Sequence, residues 1–254
     1  MLLKGMVEQQ IEMLGAAMAR ISGKRSAGDL DGAAAEIRQA GLKITGLDTG
    51  ILAALTGASL LEHFAVETWF DAGRCAASGA LLHELAEITA DRGLVERSRS
   101  LRAKAVTLIL TGLLHDPALR TPIFEDRLQA LLERVSYHDL PLPDQRLLTA
   151  YHESAGRYAA AEDVLFAMRT AAGPAWAPLA MAFYDRLRAR DESELMAGGL
   201  SSAELEAGWA EVTAAGEPSA HGGALQLPEP HADNPECPLS AHAPPSNPWR
   251  TGLA

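Results

Sequence analysis

Apolar residues recur at helical spacing from the start of the chain. Leu3, Met6, Val7, Ile11, Leu14, Ala17, Met18 and Ile21 form one stripe, with Lys4, Glu8, Glu12 and Arg20 outside it, which predicts a long opening helix over residues 3–21. Ala33, Ala34, Ile37, Ala40 and Leu42 repeat the pattern over residues 31–43, up to Gly46. Between residues 47 and 74 it breaks into pieces at 51–55, 60–66 and 67–70, separated by Gly50, Gly57 and Gly73, so a connector of short helices is expected. Residues 75–90 and 94–114 are the clearest pair of long helices, joined at Gly93 and stopped by Asp116-Pro117. Pro122 opens a further helix over 124–135, because proline is tolerated in a first turn, and Leu140-Pro141-Leu142-Pro143 reads as an extended break. Helices over 144–154 and 158–170 meet at Gly156, and another covers 174–190. The last helix starts at the capping box Ser201-Ser202-Ala203-Glu204, with Leu205, Trp209 and Val212 as its apolar face. Beyond it the period ends. Eight of the fourteen prolines fall in residues 214–254, a composition that does not repay the entropy of folding. The expected fold is therefore all-α: an irregular array of helical hairpins over residues 1–213, then a disordered, acidic, Pro-rich tail over 214–254.

Gly28, Gly93 and Gly156 stand at three helix junctions, each followed five positions later by a small residue: Ala33, Ser98 and Ala161. A glycine between two amphipathic helices, with a small residue five positions later, suits a hairpin whose arms pack closely. The Gly93 and Gly156 hairpins resemble tetratricopeptide repeats, best over Leu147-Leu148-Thr149-Ala150-Tyr151 through Gly156 to Ala161. The glycines lie 65 and 63 residues apart, a little under two repeats of about 34 residues, so the array is irregular. The opening helix, Gly46-Leu47-Asp48, Asp139-Leu140-Pro141-Leu142 and Ala161-Glu162-Asp163-Val164-Leu165-Phe166 together resemble an uncharacterised bacterial family of repeat-like helical proteins. The resemblance spans residues 3–172. It implies the fold and carries over no catalytic residue.

Composition agrees with helices packed at short distance: 48% of the 254 residues are hydrophobic but only 5% aromatic. The net charge is −11, of which residues 191–254 carry −9, ten acids against Arg250. That asymmetry gives no general case for nucleic-acid binding and points to a solubilising or auto-inhibitory tail. The first residues lack the apolar run of a signal peptide and no later run approaches a membrane span, so a cytoplasmic location is expected. Cys75 and Cys237 read as two unrelated thiols.

Known catalytic patterns fail one after another. His83-Glu84-Leu85-Ala86-Glu87 begins like a zinc-protease helix but ends in glutamate, and the tail histidines His221, His231 and His242 match no closed zinc site with Cys237. Gly23-Lys24-Arg25-Ser26 echoes the end of a phosphate loop without its first glycine, so it reads as a basic helix end. No nucleophile elbow occurs, and neither metal nor cofactor is expected. Arg92, Arg97, Arg99, Arg102 and Lys104 read as a solvated helix face. One constellation remains: His83, Glu87 and Asp91 at i, i+4 and i+8, matched on the Gly156 hairpin by Arg146 and Glu153, as the lining of a polar groove. On such a wet face, charge reversal at Glu87 and Asp91 is expected to leave folding intact. The function this implies is a non-catalytic adaptor or scaffold for a protein or peptide partner, with association of like chains left open. The alternative is a small-molecule-binding regulatory bundle or an enzyme whose residues converge only in three dimensions.

Overall fold

Short polar side chains fix where many of the helices begin. Asp29, Asp48, Thr56, Asp71 and Asp191 each accept a hydrogen bond from an amide two or three residues on, satisfying donors that the first helical turn leaves free. The structure, a computed structural model, describes residues 2–66 and 69–216. Its elements run α1 (Leu2–Ser26), α2 (Leu30–Ala40), α3 (Thr49–Ala54), α4 (Gly57–Phe64), β1 (Ala65–Val66), β2 (Trp69–Phe70), α5 (Ala72–Asp91), α6 (Val95–His115), α7 (Pro122–Leu132) and α8 (Leu142–Ser154). After these come α9 (Tyr158–Ala167), α10 (Arg169–Ala172), α11 (Trp176–Leu187), α12 (Glu192–Ala197) and α13 (Ser202–Gly216). The fold is all-α. The one sheet among the described residues is the antiparallel hairpin of β1 and β2, with Ala65 opposite Phe70 and Val66 opposite Trp69. Among the described residues no helix is long and apolar enough to cross a membrane.

The centre of the molecule is the antiparallel pair α5 and α6. α5 is buried on almost every side, with Cys75, Ala76, Ala80, Leu81, Leu82, Ala86 and Ile88 at 0% exposure. Such a helix has neighbours all round it. Two glycines let the backbones touch: a Cβ on Gly79 would lie 2.9 Å from the Ala105 carbonyl oxygen, and one on Gly112 2.8 Å from that of Ala72. α1, α2, α3, α4 and α7 pack on α5, and α8 packs on α6. A second apolar cluster, including Trp176, Phe183, Tyr184, Leu195 and Val212, lies among α9 and α11–α13.

All three junction glycines occupy the left-handed region, at φ +77° for Gly28, +77° for Gly93 and +70° for Gly156. Space is not the reason, since an added Cβ would meet nothing within 4 Å at any of them; backbone conformation is. The small residues that follow are buried, Ala33 and Ala161 at 0% and Ser98 at 1%, and the Ser98 hydroxyl donates to the Ala86 carbonyl at 2.7 Å across the hairpin.

Several boundaries differ from expectation. α1 runs on to Ser26, and the second helix gives way at Gly41 to a π-helical turn (Gly41–Thr45) that Gly46 closes at φ +77°. The Arg74 side chain donates to the Thr45 carbonyl, occupying the space a side chain on residue 46 would need. The segment expected as a helix over 67–70 holds a strand instead at Trp69–Phe70, where the backbone pairs with Ala65–Val66 and Phe70 stacks on His115 of α6 with ring centroids 4.3 Å apart. Leu142 and Pro143 belong to the first turn of α8, so the extended break shrinks to Leu140 and Pro141. α12 was not foreseen: six residues hold it, with Leu195 as its one buried anchor.

The final helix opens as expected, the Ser201 amide donating to Glu204 at 2.8 Å and the Glu204 amide to Ser201 Oγ at 3.2 Å. It continues to Gly216, past the boundary at 213. Six of the ten C-terminal acids thus sit in or beside helices, and Glu194, Glu206 and Glu211 pair with Arg190, Arg188 and Arg169. The expected disordered tail, apart from residues 214–216, lies outside the described residues, as do His221, His231, Cys237, His242 and Trp249.

The α5–α6 contact yields a paired prediction. Gly112→Ala places a methyl 2.7 Å from Ala76 Cβ and should cost about 1–3 kcal/mol through overpacking. Gly23→Ala, where a Cβ meets nothing within 4 Å, should instead gain about 0.5–1 kcal/mol of helix propensity. Urea denaturation of the two variants reads both signs, and equal midpoints would remove the close approach.

Candidate functional site

The face of α5 carrying His83 and Glu87 turns inward, whereas Asp91 at the end of the helix stays exposed. Because α5 is central, its polar residues meet other helices: His83 is 7% exposed and Glu87 6%. The expected open groove at these positions is corrected to a buried ion-pair cluster. Glu87 Oε1 accepts from Arg102 of α6, at 2.8 Å from Nη2 and 3.1 Å from Nε. Its other oxygen lies 3.4 Å from Arg25 of α1 and 3.4 Å from Arg134, just beyond α7. Asp91, one turn on, accepts from Arg25 Nε at 2.6 Å, and the neighbouring Glu84 lies 3.5 Å from Arg127 of α7. Four guanidinium groups from three other parts of the chain thus meet three carboxylates of one helix.

The electrostatics follow from the crowding. Burial pushes the Glu87 carboxyl up, but the hydrogen bond from Arg102 and the charges of Arg102, Arg134 and His83 outweigh it, and the net shift is downward. Glu84 is raised by burial, against the pull of Arg127 and Arg25. Burial lowers His83 to about 4; Glu87 opposes that shift, and Arg127, Arg102 and Arg134 reinforce it. His83 is therefore neutral at pH 7, with Nε2 3.8 Å from Glu87 and Nδ1 buried without a partner among the described residues. With its lone pairs engaged by three arginines, Glu87 is poorly placed to act as a base.

Arg146 and Glu153 sit elsewhere, on α8. No hydrogen bond or ion pair among the described residues joins them to the Glu87 cluster. Together with Thr149 and Ala150 they form one wall of a cleft of about 140 Å³, completed by Leu165 of α9, Met168 just beyond it, and Leu179, Phe183 and Arg186 of α11. Glu153 and Arg186 close one end through two parallel bonds of 2.7 Å each. Arg146 is exposed at the other end and has no acidic partner among the described residues. Arg146 and Glu153 both line this cleft, and its apolar floor went unseen because Phe183 and Leu179 arrive from α11.

The basic run around Gly93 also disperses. Arg102 points to Glu87, Arg92 pairs with Asp31 of α2, Lys104 donates to the Ala53 carbonyl, and Arg97 and Arg99 stay exposed. Cys75 is buried, its thiol donating to the Leu108 carbonyl at 3.4 Å, and burial raises its pKa, which keeps it protonated and unreactive. No group of three or more His, Cys, Asp or Glu residues able to hold a metal ion occurs among the described residues.

These features define an all-α protein whose charged cluster knits helices together and whose cleft faces outward. The chain belongs to a family of unknown function, DUF6483, whose model matches residues 1–216. No curated protein and no solved structure matches it.

Two outcomes test the cluster. Glu87→Leu leaves Arg102 without its anion, while Arg25 keeps Asp91 and Arg134 is exposed, and should cost about 1–3 kcal/mol, above the effect of an exposed change. Charge reversal at Glu87 should be at least as damaging, contrary to the expectation from a wet face; thermal unfolding decides. His83 holds fewer protons folded than unfolded below pH 6.5, so its contribution to stability falls as pH drops. Between pH 7 and pH 5, His83→Gln should therefore lose about 2 kcal/mol less stability than the native chain. Parallel pH profiles from denaturant titration would contradict this.

Proposed function

We propose that the chain is a non-catalytic adaptor that holds a protein or peptide partner in the cleft between α8, α9 and α11. The observation that supports this reading is the pairing of an apolar floor, Leu165, Met168, Leu179 and Phe183, with an exposed Arg146 at the rim that has no acidic partner among the described residues. An apolar side chain of a partner would fill the floor, and a neighbouring carboxylate would meet Arg146. The size favours a side chain over a whole cofactor: about 140 Å³ is below the roughly 300–1,000 Å³ usual for small-molecule sites. The left-handed glycines and buried small residues of the hairpins are in keeping with a tetratricopeptide-like stack, a scaffold type that offers extended surfaces to peptides. We place its action in the bacterial cytoplasm.

Ala150 is exposed in the cleft wall, so Ala150→Trp should block the floor while leaving the fold intact. Recovery of bound protein from extracts of the source cells should fall at least tenfold with Ala150→Trp, equivalent to about 1.4 kcal/mol, and stay unchanged with Arg97→Glu on the exposed face of α6. Equal recovery by native chain and Ala150→Trp would overturn the reading.

A further inference from the structure

Most arginines of the described residues face a carboxylate, but Arg97, Arg99, Arg120, Arg146 and Arg157 form no ion pair among the described residues. Arg120 and Arg157 are nonetheless held in place, and by the same side chain: their guanidinium carbons lie 5.5 Å and 4.7 Å from the centroid of the Tyr151 ring in α8. Arg120, in the turn between α6 and α7, also donates from Nη1 to the Ser154 carbonyl at 3.0 Å and from Nη2 to Ser154 Oγ at 2.5 Å. Arg157, just past Gly156, donates from Nε to His152 Nδ1 at 3.1 Å. Fixing a long side chain costs rotamer entropy, and here no carboxylate offsets it.

The donors left over point to what would. Arg157 is exposed, and its two terminal nitrogens donate to no carboxylate and no carbonyl among the described residues. Ring stacking uses only the face of the guanidinium, so the N–H edge keeps its fork geometry. Burial and the charge of Arg157 hold His152 down to about 4, so its Nδ1 remains an acceptor at pH 7 and keeps that fork oriented. Arg120 Nε and the adjacent Thr121 Oγ1 are buried without a partner among the described residues, hydrogen-bonding capacity that the fold itself does not meet. Glu125, the carboxylate of this corner, accepts the Tyr151 hydroxyl and pairs with neither arginine. Two guanidinium groups arriving from different turns suit a tetrahedral oxyanion better than a carboxylate, whose two oxygens a single fork saturates.

We infer that Arg120 and Arg157, oriented on the Tyr151 ring, bind a phosphate group beside the C-terminal end of α8, at a site that shares no residue with the cleft. A purely structural role, cations on the negative pole of α8, requires charge near the last carbonyls but no planar fork, so lysine would serve it equally well.

Calorimetric titration of the full chain with inorganic phosphate and, separately, with a phosphoserine tripeptide tests the site and distinguishes a free phosphate compound from a phosphate carried on protein. At least one probe should saturate at a single site, and the tighter of the two names the source. Arg157→Lys and Arg120→Lys should each weaken that binding at least tenfold while leaving the thermal midpoint unchanged, because charge is kept and the fork is lost. His152→Leu, which removes no positive charge at pH 7 but releases Arg157 Nε, should weaken it several-fold, with circular dichroism confirming the helical fold. Arg97→Lys, at an exposed arginine that no described hydrogen bond orients, should leave the affinity native. Saturation by neither probe, or binding that both lysine variants leave unchanged, overturns the site and returns the two arginines to capping α8. Ala150→Trp should not alter phosphate binding, so the phosphate site and the partner cleft stand or fall separately.

Discussion

Backbone contact between α5 and α6 is the constraint on which the remaining structure depends. Gly79 meets the Ala105 carbonyl and Gly112 the Ala72 carbonyl, so the two longest central helices lie closer than side chains of ordinary size allow. Their close approach maximises dispersion contacts along the pair and leaves the other faces of α5 free to receive α1, α2 and α7. Closeness also has an electrostatic consequence. Once α5 is enclosed, every charged group it carries must be answered from a neighbouring helix, because an isolated buried charge is far more costly than a paired one.

Glu87 shows how that demand is met. Arg25, Arg102 and Arg134 come from the end of α1, the middle of α6 and the turn after α7, so a single carboxylate fixes the mutual placement of four parts of the chain. The gain is specificity more than net stability. Desolvation offsets much of the Coulomb attraction in a buried pair, yet a misplaced α1 or α7 would strand charge in the interior. The outward-facing cleft is built in the opposite manner, from apolar side chains with the charges kept at the rim.

Much of the fold was legible because its cues are local. The glycine junctions, the capping box at Ser201 and the long periods on either side of Gly93 each depend on a few adjacent residues, and all appear in the structure. What escaped depends on distant residues. Trp69–Phe70 is extended partly because His115, far along the chain, stacks on Phe70. The candidate site split for the same reason: helical spacing placed His83, Glu87 and Asp91 on one face but could not say whether water or Arg25 lay opposite. One cue was available. Residues 72–91 are apolar or small in nearly every direction, which marks a central helix and implies that its carboxylates are paired.

The division of the apolar interior bears on the order in which the chain assembles. The larger cluster draws all its buried members from Leu14 to Val164, whereas the smaller begins at Tyr158 and closes only with Val212. α9 belongs to both, offering Val164 to one and Ala161 and Leu165 to the other. During synthesis from the N-terminus, the first cluster can close before α11 exists, and α9 then presents a half-covered surface on which α11 and α13 settle. The cleft wall from α11 is therefore among the last parts to arrive, so the surface proposed for partner binding is completed only after the central helices are in place.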